Sequence, residues 1–519
     1  MVKHAWCILP GFVLALMPGL AVGQTPVSPS ASQAPKPPTL VVTTRLLVLD
    51  VVVTDKQGRP VTDLTKDQFT ITEDKVPQRV RSFEQPGEHM LPPGDLVHST
   101  ADIPKIGRAP VDVLVLDELN TPFEDNAFSR YALQKFLKAQ PAIMPPTTLL
   151  ATNDKSFAVL QDYTQNVSLL EAAVQRDRAE YPWRLAHNGN SGPDAIVRLG
   201  QTLDALEEIA QAAAGTPGRK NIIWVGKGFP SVDLTGLDDA SAKELQDAVR
   251  RCIDLLLRSR VTLYILNPAP LSSAIYDTQT PTDLATLEDE TGTEPFANAV
   301  RFSTLAPATG GRVFSGRNDV DREMATSIVE SSQYYTLTYS PTNDSDSSAA
   351  YRQVRVSVDR PGLTVATRDG YYAQPDSANS ASDAGPDEGK KQDGLQVLDV
   401  ANAALSKMVY NGVTVRAGKV TPDRFSLAIA DSSLSWTPAD DGSSQAEVSI
   451  VVVCFSAKGK VLMHRVDEKT LTSRLPNRTR AGEEIFSITA NPPAGAARIR
   501  FVVRDTVTGH LGTADLDDL

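Results

Sequence analysis

The apolar run Val111–Leu116 constrains the fold of this chain more than any other stretch. Five of its six residues are apolar without alternation, which is typical of a strand buried on both faces of a parallel sheet. Similar runs follow at 148–152, 221–226 and 261–267, separated by segments with helical periodicity. The sequence therefore predicts an α/β fold with a doubly wound, mostly parallel sheet.

Polar residues come directly after this first apolar run. They are Asp117, Asn120 and Thr121. In open α/β sheets, ligands bind outside the carboxyl ends of the strands. We therefore expect these three side chains to lie at the edge of the sheet where binding takes place.

Several segments of the chain, taken in order, resemble one known family. They are 52–74, 116–121, 308–314, 334–341 and 368–372, which together cover roughly residues 40–373. This pattern resembles the von Willebrand factor type A (VWA) domain, and more closely the secreted bacterial proteins called acidobacterial VWFA-related. The resemblance implies a VWA or Rossmann-like domain in an extracytoplasmic adhesion or assembly protein, and it implies no reaction.

Composition and periodicity predict the organisation of the rest of the chain. Pro- and Ser-rich stretches indicate linkers, and short alternating strands between polar turns indicate β domains, including a C-terminal β-sandwich. The predicted units are a signal peptide at 1–23, a linker at 24–39, a small N-terminal β module at 40–86, a VWA-like domain at 109–341, a β-hairpin extension at 342–373, a linker at 374–393, and a β-rich domain at 394–519.

The first 23 residues have the pattern of a secretory signal peptide. Lys3 precedes an apolar core, and the small residues 21–23 precede Gln24. A positive charge, an apolar core and a cleavage site with small residues follow one another in this order, which predicts cleavage of the signal peptide. The mature protein is then expected to be secreted or periplasmic, without stable membrane insertion. A permanent anchor is the alternative, but Pro10 and Pro18 interrupt a segment that is already short.

The charge balance and the cysteines limit the possible partners. A formal net charge of −12 argues against nucleic acid, whose backbone needs a basic surface, and against docking on anionic lipid. After the predicted cleavage point only Cys252 and Cys454 remain. Both lie in apolar patterns, so we expect two buried thiols and no disulfide.

The VWA resemblance implies a place for a metal ion. VWA domains that bind a cation end their opening strand in Asp-x-Ser-x-Ser, and add a hydroxyl from a later loop and an Asp after the fourth strand. Asp117 and Thr121 match two of these positions, and Ser191 is the candidate for the later hydroxyl. Mg²⁺ is the hard ion that such oxygen ligands would suit.

Three residues depart from the metal-binding pattern. Leu119 stands in place of the first Ser, Gly226 stands in place of the Asp, and Lys227 adds a positive charge. We therefore expect a degenerate site and no cofactor, with Mg²⁺ as the less favoured alternative. The preferred interpretation is that the polar residues after the first run hydrogen-bond their own loop and cap the following helix.

The same edge of the sheet is the predicted partner-binding rim. Loops at strand ends vary without disturbing the sheet, and aromatic side chains serve as anchors in interfaces. Phe123 and Phe229 are candidate exposed anchors, although ordinary packing beneath the loops is the alternative. The rim comprises Asp117, Asn120, Thr121, Phe123, Ser191 and Phe229.

No catalytic pattern is present in the sequence. There is no Gly-x-Ser-x-Gly, no His-Glu-x-x-His and no Gly-x-x-x-x-Gly-Lys-Ser/Thr, and the histidines after residue 23 are scattered without metal-ligand spacing. No residue is assigned a catalytic role. The predicted function is a protein-binding, adhesion or assembly module with an unknown protein partner. An extracytoplasmic hydrolase with an unrecognised active site is the alternative.

Overall fold

The computed structural model describes most of the chain beyond residue 45. The described residues are 46–153, 157–177, 193–268, 295–296, 299–315, 319–342, 351–373, 399–439, 442–473 and 482–517. The predicted signal peptide and both predicted linkers lie outside them. No helix within the described residues is both long enough and apolar enough to cross a membrane.

The described chain starts with four strands and continues into an α/β domain. The first strands are β1 (Leu47–Thr54), β2 (Phe69–Glu73), β3 (Val76–Gln78) and β4 (Val80–Glu84). The strands of the α/β domain are β5 (Val111–Asp117), β6 (Ile143–Thr152), β7 (Phe157–Asn166), β8 (Lys220–Val225), β9 (Val232–Asp233), β10 (Val261–Leu266), β11 (Ala299–Val300) and β12 (Val313–Phe314). Its helices are α1 (Phe123–Lys138), α2 (Val167–Arg176), α3 (Pro193–Ala212), α4 (Asp239–Arg258), α5 (Phe302–Ala308) and α6 (Val320–Ser332).

Six of these strands form the central sheet in the order β7-β6-β5-β8-β10-β12. All neighbours are parallel except the edge strand β7, which is antiparallel to β6. Counted from β5, the order is 3-2-1-4-5-6, which is a doubly wound arrangement. The predicted α/β class with a mostly parallel sheet is therefore confirmed.

Strand β5 is apolar without alternation because both of its faces are buried. Val113 and Val115 lie in the core that α3, α4 and α5 cover, while Leu114 and Leu116 lie in the core that α1, α2 and α6 cover. Burying each such side chain contributes about 1.5–3 kcal/mol of transfer free energy. This strand therefore fixes the middle of the sheet, and its carboxyl end is held rigidly.

The N-terminal strands are completed by strands from the far side of the α/β domain. These are β13 (Tyr335–Tyr339), β14 (Tyr351–Val358), β15 (Thr364–Ala366) and β16 (Gly370–Tyr372). They form the sheets β15-β1-β13-β4 and β16-β14-β2-β3, which share one core. The predicted N-terminal module and the predicted hairpin extension thus pair with each other, and the α/β domain is an insertion between them. Strand β13 joins this module, although the sequence analysis placed it in the VWA-like domain.

The C-terminal region consists of two antiparallel sheets around one core. Its strands are β17 (Val415–Thr421), β18 (Arg424–Ala430), β19 (Thr437–Pro438), β20 (Ser444–Ser456), β21 (Val461–Ser473), β22 (Glu483–Thr489), β23 (Ala496–Asp505) and β24 (Leu511–Asp517). The smaller sheet is β17-β18-β22, and the larger contains β21, β20, β23 and β24. Phe425, Val452 and Phe501 lie in the core between them, which is the arrangement of a β-sandwich.

The outer face of the larger C-terminal sheet packs against the α/β domain. Val451 and Val453 of β20 belong to the same apolar core as Leu199 and Leu203 of α3. From residue 45 onwards the chain forms one compact unit. Cys252 and Cys454 are both buried and free, so no disulfide contributes to this packing.

Candidate functional site

The polar residues after β5 lie where the order of the central sheet reverses. From β5 the chain moves to β6 on one side, and it later returns to β8 on the other. The crevice between the carboxyl ends of β5 and β8 is the place where doubly wound sheets bind ligands. Asp117 ends β5, and Gly226 follows β8, so both residues border that crevice.

Both oxygens of the Asp117 carboxylate accept hydrogen bonds from donors of its own chain. Oδ1 accepts hydrogen bonds from the Asn120 amide at 2.9 Å, from Asn120 Nδ2 at 3.2 Å and from Thr152 Oγ1 at 3.1 Å. Oδ2 accepts one from the Gly228 amide at 2.8 Å. The side chain is buried, with 1% exposure. Asp117 therefore closes the crevice and presents no oxygen to a ligand.

Thr121 and Asn120 fasten the two neighbouring loops. Thr121 Oγ1 accepts a hydrogen bond from the Lys227 amide at 3.0 Å. Asn120 Nδ2 donates to Thr202 Oγ1 of α3 at 3.1 Å. Both residues are buried, so the loop after β5 is attached to the loop after β8 and to α3.

Two glycines allow the loop after β8 to approach Asp117. Gly226 has φ +156°, and a Cβ there would lie 2.3 Å from Asp117 Cβ and 2.4 Å from Thr121 Oγ1. Gly228 has φ +69°, and a Cβ there would lie 1.8 Å from Phe302 Cδ1. Only glycine fits at either position, and this close approach brings the Gly228 amide to the carboxylate.

The charges around Asp117 are unfavourable for a cation. Burial raises the pKa of Asp117, and the hydrogen bonds from Asn120 and Gly228 oppose that rise. The buried Arg198 of α3 interacts electrostatically with Asp117. Lys227 Nζ lies 3.4 Å from Asp125 Oδ2 in the first turn of α1. Two cationic side chains therefore border the crevice already.

The residues present do not fit a bound Mg²⁺. Leu119 is an apolar side chain with 4% exposure, and Gly226 has no side-chain oxygen. Both oxygens of Asp117 and the hydroxyl of Thr121 already accept hydrogen bonds. Among the residues that the structure describes, no three His, Cys, Asp or Glu side chains form a group that could hold a metal ion. Ser191 lies outside the described residues.

The two aromatic candidates of the rim differ in exposure. Phe123, the first residue of α1, is 61% exposed. Phe229 is 3% exposed and packs edge to face on Phe302, with 5.3 Å between ring centroids. Phe229 therefore packs beneath the loops as an ordinary core residue. Asp117, Asn120 and Thr121 are buried as well, so Phe123 is the exposed member of the rim among those that the structure describes.

The predicted capping of the helix after β5 does not occur. The N-cap of α1 is Pro122, which has no side-chain cap hydrogen bond. Instead, Asn126 Nδ2 inside the helix donates to the Asp117 carbonyl at 3.5 Å. The loop is held by its hydrogen bonds to neighbouring strands and to α3, because proline leaves no side-chain acceptor at the cap.

Glu118 points away from Asp117 into a separate charged cluster. Arg130 of α1 pairs with both Glu118 and Asp177. Burial and the nearby charge of Asp177 raise the pKa of Glu118 to about 7, and the Arg130 charge opposes that rise. This cluster holds α1 against the end of α2 and contributes nothing to the crevice.

Sequence analysis missed three residues that complete the Asp117 network. Thr152 stands opposite Asp117 in the parallel pairing of β5 with β6, so a register prediction could have found it. Gly228 belongs to the pattern Gly226-Lys227-Gly228, whose two glycines signal an unusual backbone. Arg198 gives no comparable signal, because its helical position alone does not say that its charge lies near Asp117.

Comparisons with known proteins add little. No model of a known protein family matches the chain, and no curated protein matches it. Among solved structures, a β-glucuronidase of Bacteroides uniformis has 12% identity over 36% of this chain and 18% of its own, with a TM-score of 0.12. Bacteroides uniformis β-glucuronidase 2, covalently bound to cyclophellitol-6-carboxylate aziridine, has the same identity and coverage and a TM-score of 0.13. Scores this low carry no argument about fold or activity.

Proposed function

We propose that this chain is a secreted or periplasmic protein-binding module built on a VWA-like domain with a degenerate ion site. Two things support the proposal: the sequence resemblance over residues 40–373, and a doubly wound sheet whose switch point carries Asp117 and Thr121. A binding role suits this edge, because loops at the carboxyl ends of strands present side chains on a rigid scaffold.

The closed network around Asp117 carries the proposal. In a metal-dependent VWA domain, the ion offers an open position to a carboxylate of the partner. Here both oxygens of Asp117 and the hydroxyl of Thr121 accept hydrogen bonds from within the chain. A partner therefore binds by direct contacts with the side chains around the crevice, and its binding does not depend on a divalent cation.

Phe123 is the side chain on which this binding depends. It is 61% exposed in the first turn of α1, the same turn that carries Asp125 and its ion pair with Lys227. Large aromatic residues beside charged groups carry a disproportionate share of interface energy. Truncation of Phe123 should therefore remove partner binding while leaving the buried network intact.

A comparison of two aromatic variants tests this proposal. Tyr131 lies in the same helix and is 63% exposed, so Tyr131→Ala is the matched control for Phe123→Ala. The mature protein, tagged at its C-terminus, is cross-linked to envelope proteins of its own cells, with and without EDTA. We expect one specific partner with the parent and with Tyr131→Ala, and a loss of about tenfold or more with Phe123→Ala.

Three results would contradict the proposal. One is a partner that both variants retain equally. Another is a partner that EDTA releases, because release would mean that a metal ion bridges the two proteins. The last is a mature protein found only in the cytoplasm, because it would not meet an extracytoplasmic partner.

A further inference from the structure

A second candidate site lies in the C-terminal region, far along the chain from the central sheet. It is a cleft of about 680 Å³ between the helical residues 399–405 and the outer faces of β20, β21 and β23. That volume lies within the range of small-molecule sites, which are mostly apolar with a few polar groups. Its lining includes Leu405, Ser449, Val451, Val466, Glu468 and Arg504.

Strand register explains how one wall of the cleft is formed. Ser449 of β20 stands opposite Arg504 of β23, and two residues further along Val451 stands opposite Val466 of β21. Directly opposed residues share a face of the sheet, and so do residues two apart in one strand. In the cleft, the outer face of the sheet therefore presents Val451 and Val466 with Arg504 beside them.

Arg504 is buried without a partner. Its exposure is 8%, its Nε has no hydrogen bond, and the described part of the chain supplies no carboxylate within ion-pair distance of it. A buried charge is costly unless it is paired. Because Arg504 lines the cleft, a group bound in the cleft can supply the missing acceptor.

Arg500, in the same strand, shows how this chain satisfies a buried arginine. It is 1% exposed. It donates to Asp515 at 2.8 and 2.6 Å and to the carbonyls of Ala403 and Ser406. Arg504 lies four residues further along and faces the same side of the sheet. The chain therefore supplies acceptors to the guanidinium of Arg500 but not to that of Arg504, which lies at the cleft.

Two carboxylates near the cleft do not pair with Arg504. Asp399 Oδ1 accepts a hydrogen bond from Gln211 Nε2 at 3.1 Å. Burial raises the pKa of Asp399, and the Arg504 charge opposes that rise without forming an ion pair. Glu468 lies across Ser449 from Arg504, on the exposed strand β21. The guanidinium therefore remains available for an anion.

We propose that this cleft binds a small carboxylate with an apolar tail, such as a fatty acid. The carboxylate accepts two hydrogen bonds from the planar guanidinium of Arg504, in the bidentate geometry that arginine and carboxylate groups commonly form. The tail lies against Val451, Val466 and Leu405, which form apolar walls. An inorganic anion would leave these walls in contact with water, so the apolar lining favours an amphipathic ligand.

Calorimetric titration of the mature protein with dodecanoate, below its micelle concentration, tests this proposal. Dodecanol is the matched ligand without a carboxylate, and acetate is the ligand without a tail. We expect saturable binding of dodecanoate, at least tenfold weaker binding of dodecanol, and no measurable binding of acetate. Equal affinity for dodecanoate and dodecanol would overturn the role of Arg504, and no saturable binding of dodecanoate would overturn the site.

Two variants locate the binding within the cleft. Arg504→Gln removes the charge, and Val466→Glu places a negative charge on an apolar wall. Val420→Glu is the control for the second variant, because Val420 of β17 and Val466 are both strand residues with 58% exposure. We expect dodecanoate affinity to fall at least tenfold in Arg504→Gln and in Val466→Glu, and to be unchanged in Val420→Glu.

Further measurements distinguish a loss of folding from a loss of binding, and a fatty acid from a peptide as the ligand. If Arg504→Gln fails to fold, Val466→Glu and its control still decide the location of the site. Dodecanol affinity should be the same in the parent and in Arg504→Gln. Tighter binding of a short peptide with an apolar C-terminus than of dodecanoate would overturn the assignment to a small molecule.

Discussion

Asp117 and Arg504 are both buried charged side chains at strand ends, yet their surroundings differ completely. Asp117 accepts four hydrogen bonds, from Asn120, Thr152 and Gly228. The Nε of Arg504 has no hydrogen bond, and its guanidinium forms no ion pair with any residue that the structure describes. The VWA resemblance directs attention to Asp117, whereas the buried charge without a partner is that of Arg504.

This contrast shows what a buried charge implies for function. A charge that the chain satisfies itself makes the surrounding loops rigid, and a ligand would have to replace existing bonds to reach it. A charge without partners favours any ligand that supplies them. Asp117 is therefore structural in this chain, and Arg504 is the better candidate for contact with a small ligand.

The strongest test of the closed network is Gly226→Ala. The new Cβ would lie 2.3 Å from Asp117 Cβ at a backbone φ of +156°. We expect the free energy of unfolding to fall by about 4 kcal/mol, because steric overlap and backbone strain add. Urea unfolding measures this change. Gly236→Ala is the control, since nothing lies within 4 Å of a Cβ there. Equal losses of unfolding free energy in the two variants would mean that the hydrogen bonds around Asp117 contribute little to stability.

Removing the carboxylate itself should have the next largest effect. Asp117→Ala leaves the Asn120 amide, the Thr152 hydroxyl and the Gly228 amide without their acceptor. We expect a loss of about 3 kcal/mol in unfolding free energy, because each buried donor without a partner is costly. Asp359→Ala, at an exposed position, should change stability by less than about 0.5 kcal/mol. A small loss in Asp117→Ala would show that the site is open to water or ions.

Asp112, at the other end of β5, is intermediate between Asp117 and Arg504, because its buried carboxylate accepts a hydrogen bond from one side chain. It is buried and accepts a hydrogen bond from Asn221 Nδ2 at 2.9 Å. Burial raises the pKa of Asp112 to about 7 from 3.8, while the Asn221 hydrogen bond opposes the rise. The native state therefore holds a proton that the unfolded state releases, and ionisation of this group destabilises the fold as pH rises from about 4 to about 7.

Asp112→Asn removes this titration and keeps an oxygen for Asn221. Its unfolding free energy relative to the parent should increase by about 2 kcal/mol between pH 4.5 and pH 6, because each pH unit between the two pKa values contributes about 1.4 kcal/mol. Urea unfolding at pH 4.5, 6 and 8 measures the difference. A difference that stays constant with pH would mean that Asp112 is ionised in the folded protein throughout this range.

Arg504→Gln should change stability little, or increase it. Removing a buried charge that has no partner costs nothing in lost ion pairs, so we expect a change between zero and a gain of about 1 kcal/mol without ligand. Arg500→Gln is the control, because it breaks the pair with Asp515 and should lose about 3 kcal/mol. Similar losses in both variants would show that Arg504 has a partner of its own within the chain.

Mg²⁺ should have the smallest effect. Because both oxygens of Asp117 already accept hydrogen bonds, saturation with the ion should not stabilise the folded state. We expect a change in melting temperature below about 1 °C at millimolar Mg²⁺ or Mn²⁺. A saturable calorimetric signal with either ion, abolished in Asp117→Ala, would contradict the closed network.

The sequence predicted the parts of the fold that local periodicity determines. The apolar runs became β5, β8 and β10, and the predicted C-terminal β-sandwich is present. The pairing of β1 with β13 could not be predicted, because alternation shows that one face of a strand is buried but not which distant strand covers it. The exposed strand β21 could not be predicted either, because its many polar residues give no apolar pattern.

The candidate site was predictable only in part. The place of Asp117 at the end of β5 followed from the apolar run before it. The hydrogen bonds to its oxygens depend on the positive φ angles of Gly226 and Gly228. The two glycines signal an unusual backbone, but they do not show that the Gly228 amide reaches Asp117. Arg504 could have been suspected from arginines that alternate with apolar residues along β23. Its lack of a partner could not, because pairing depends on strands far along the chain.

The insertion of the α/β domain between β4 and β13 has a consequence for how the protein is made. Asp50 of β1 and Thr336 of β13 are ladder partners, yet they are 286 positions apart in the chain. At ordinary rates of synthesis, β1 emerges from the ribosome roughly 15–60 seconds before the strand that covers it. During that interval its apolar face and its edges remain open to unwanted pairing. The first strands to be translated are thus among the last to reach their final partners, and a holding chaperone would be most useful there.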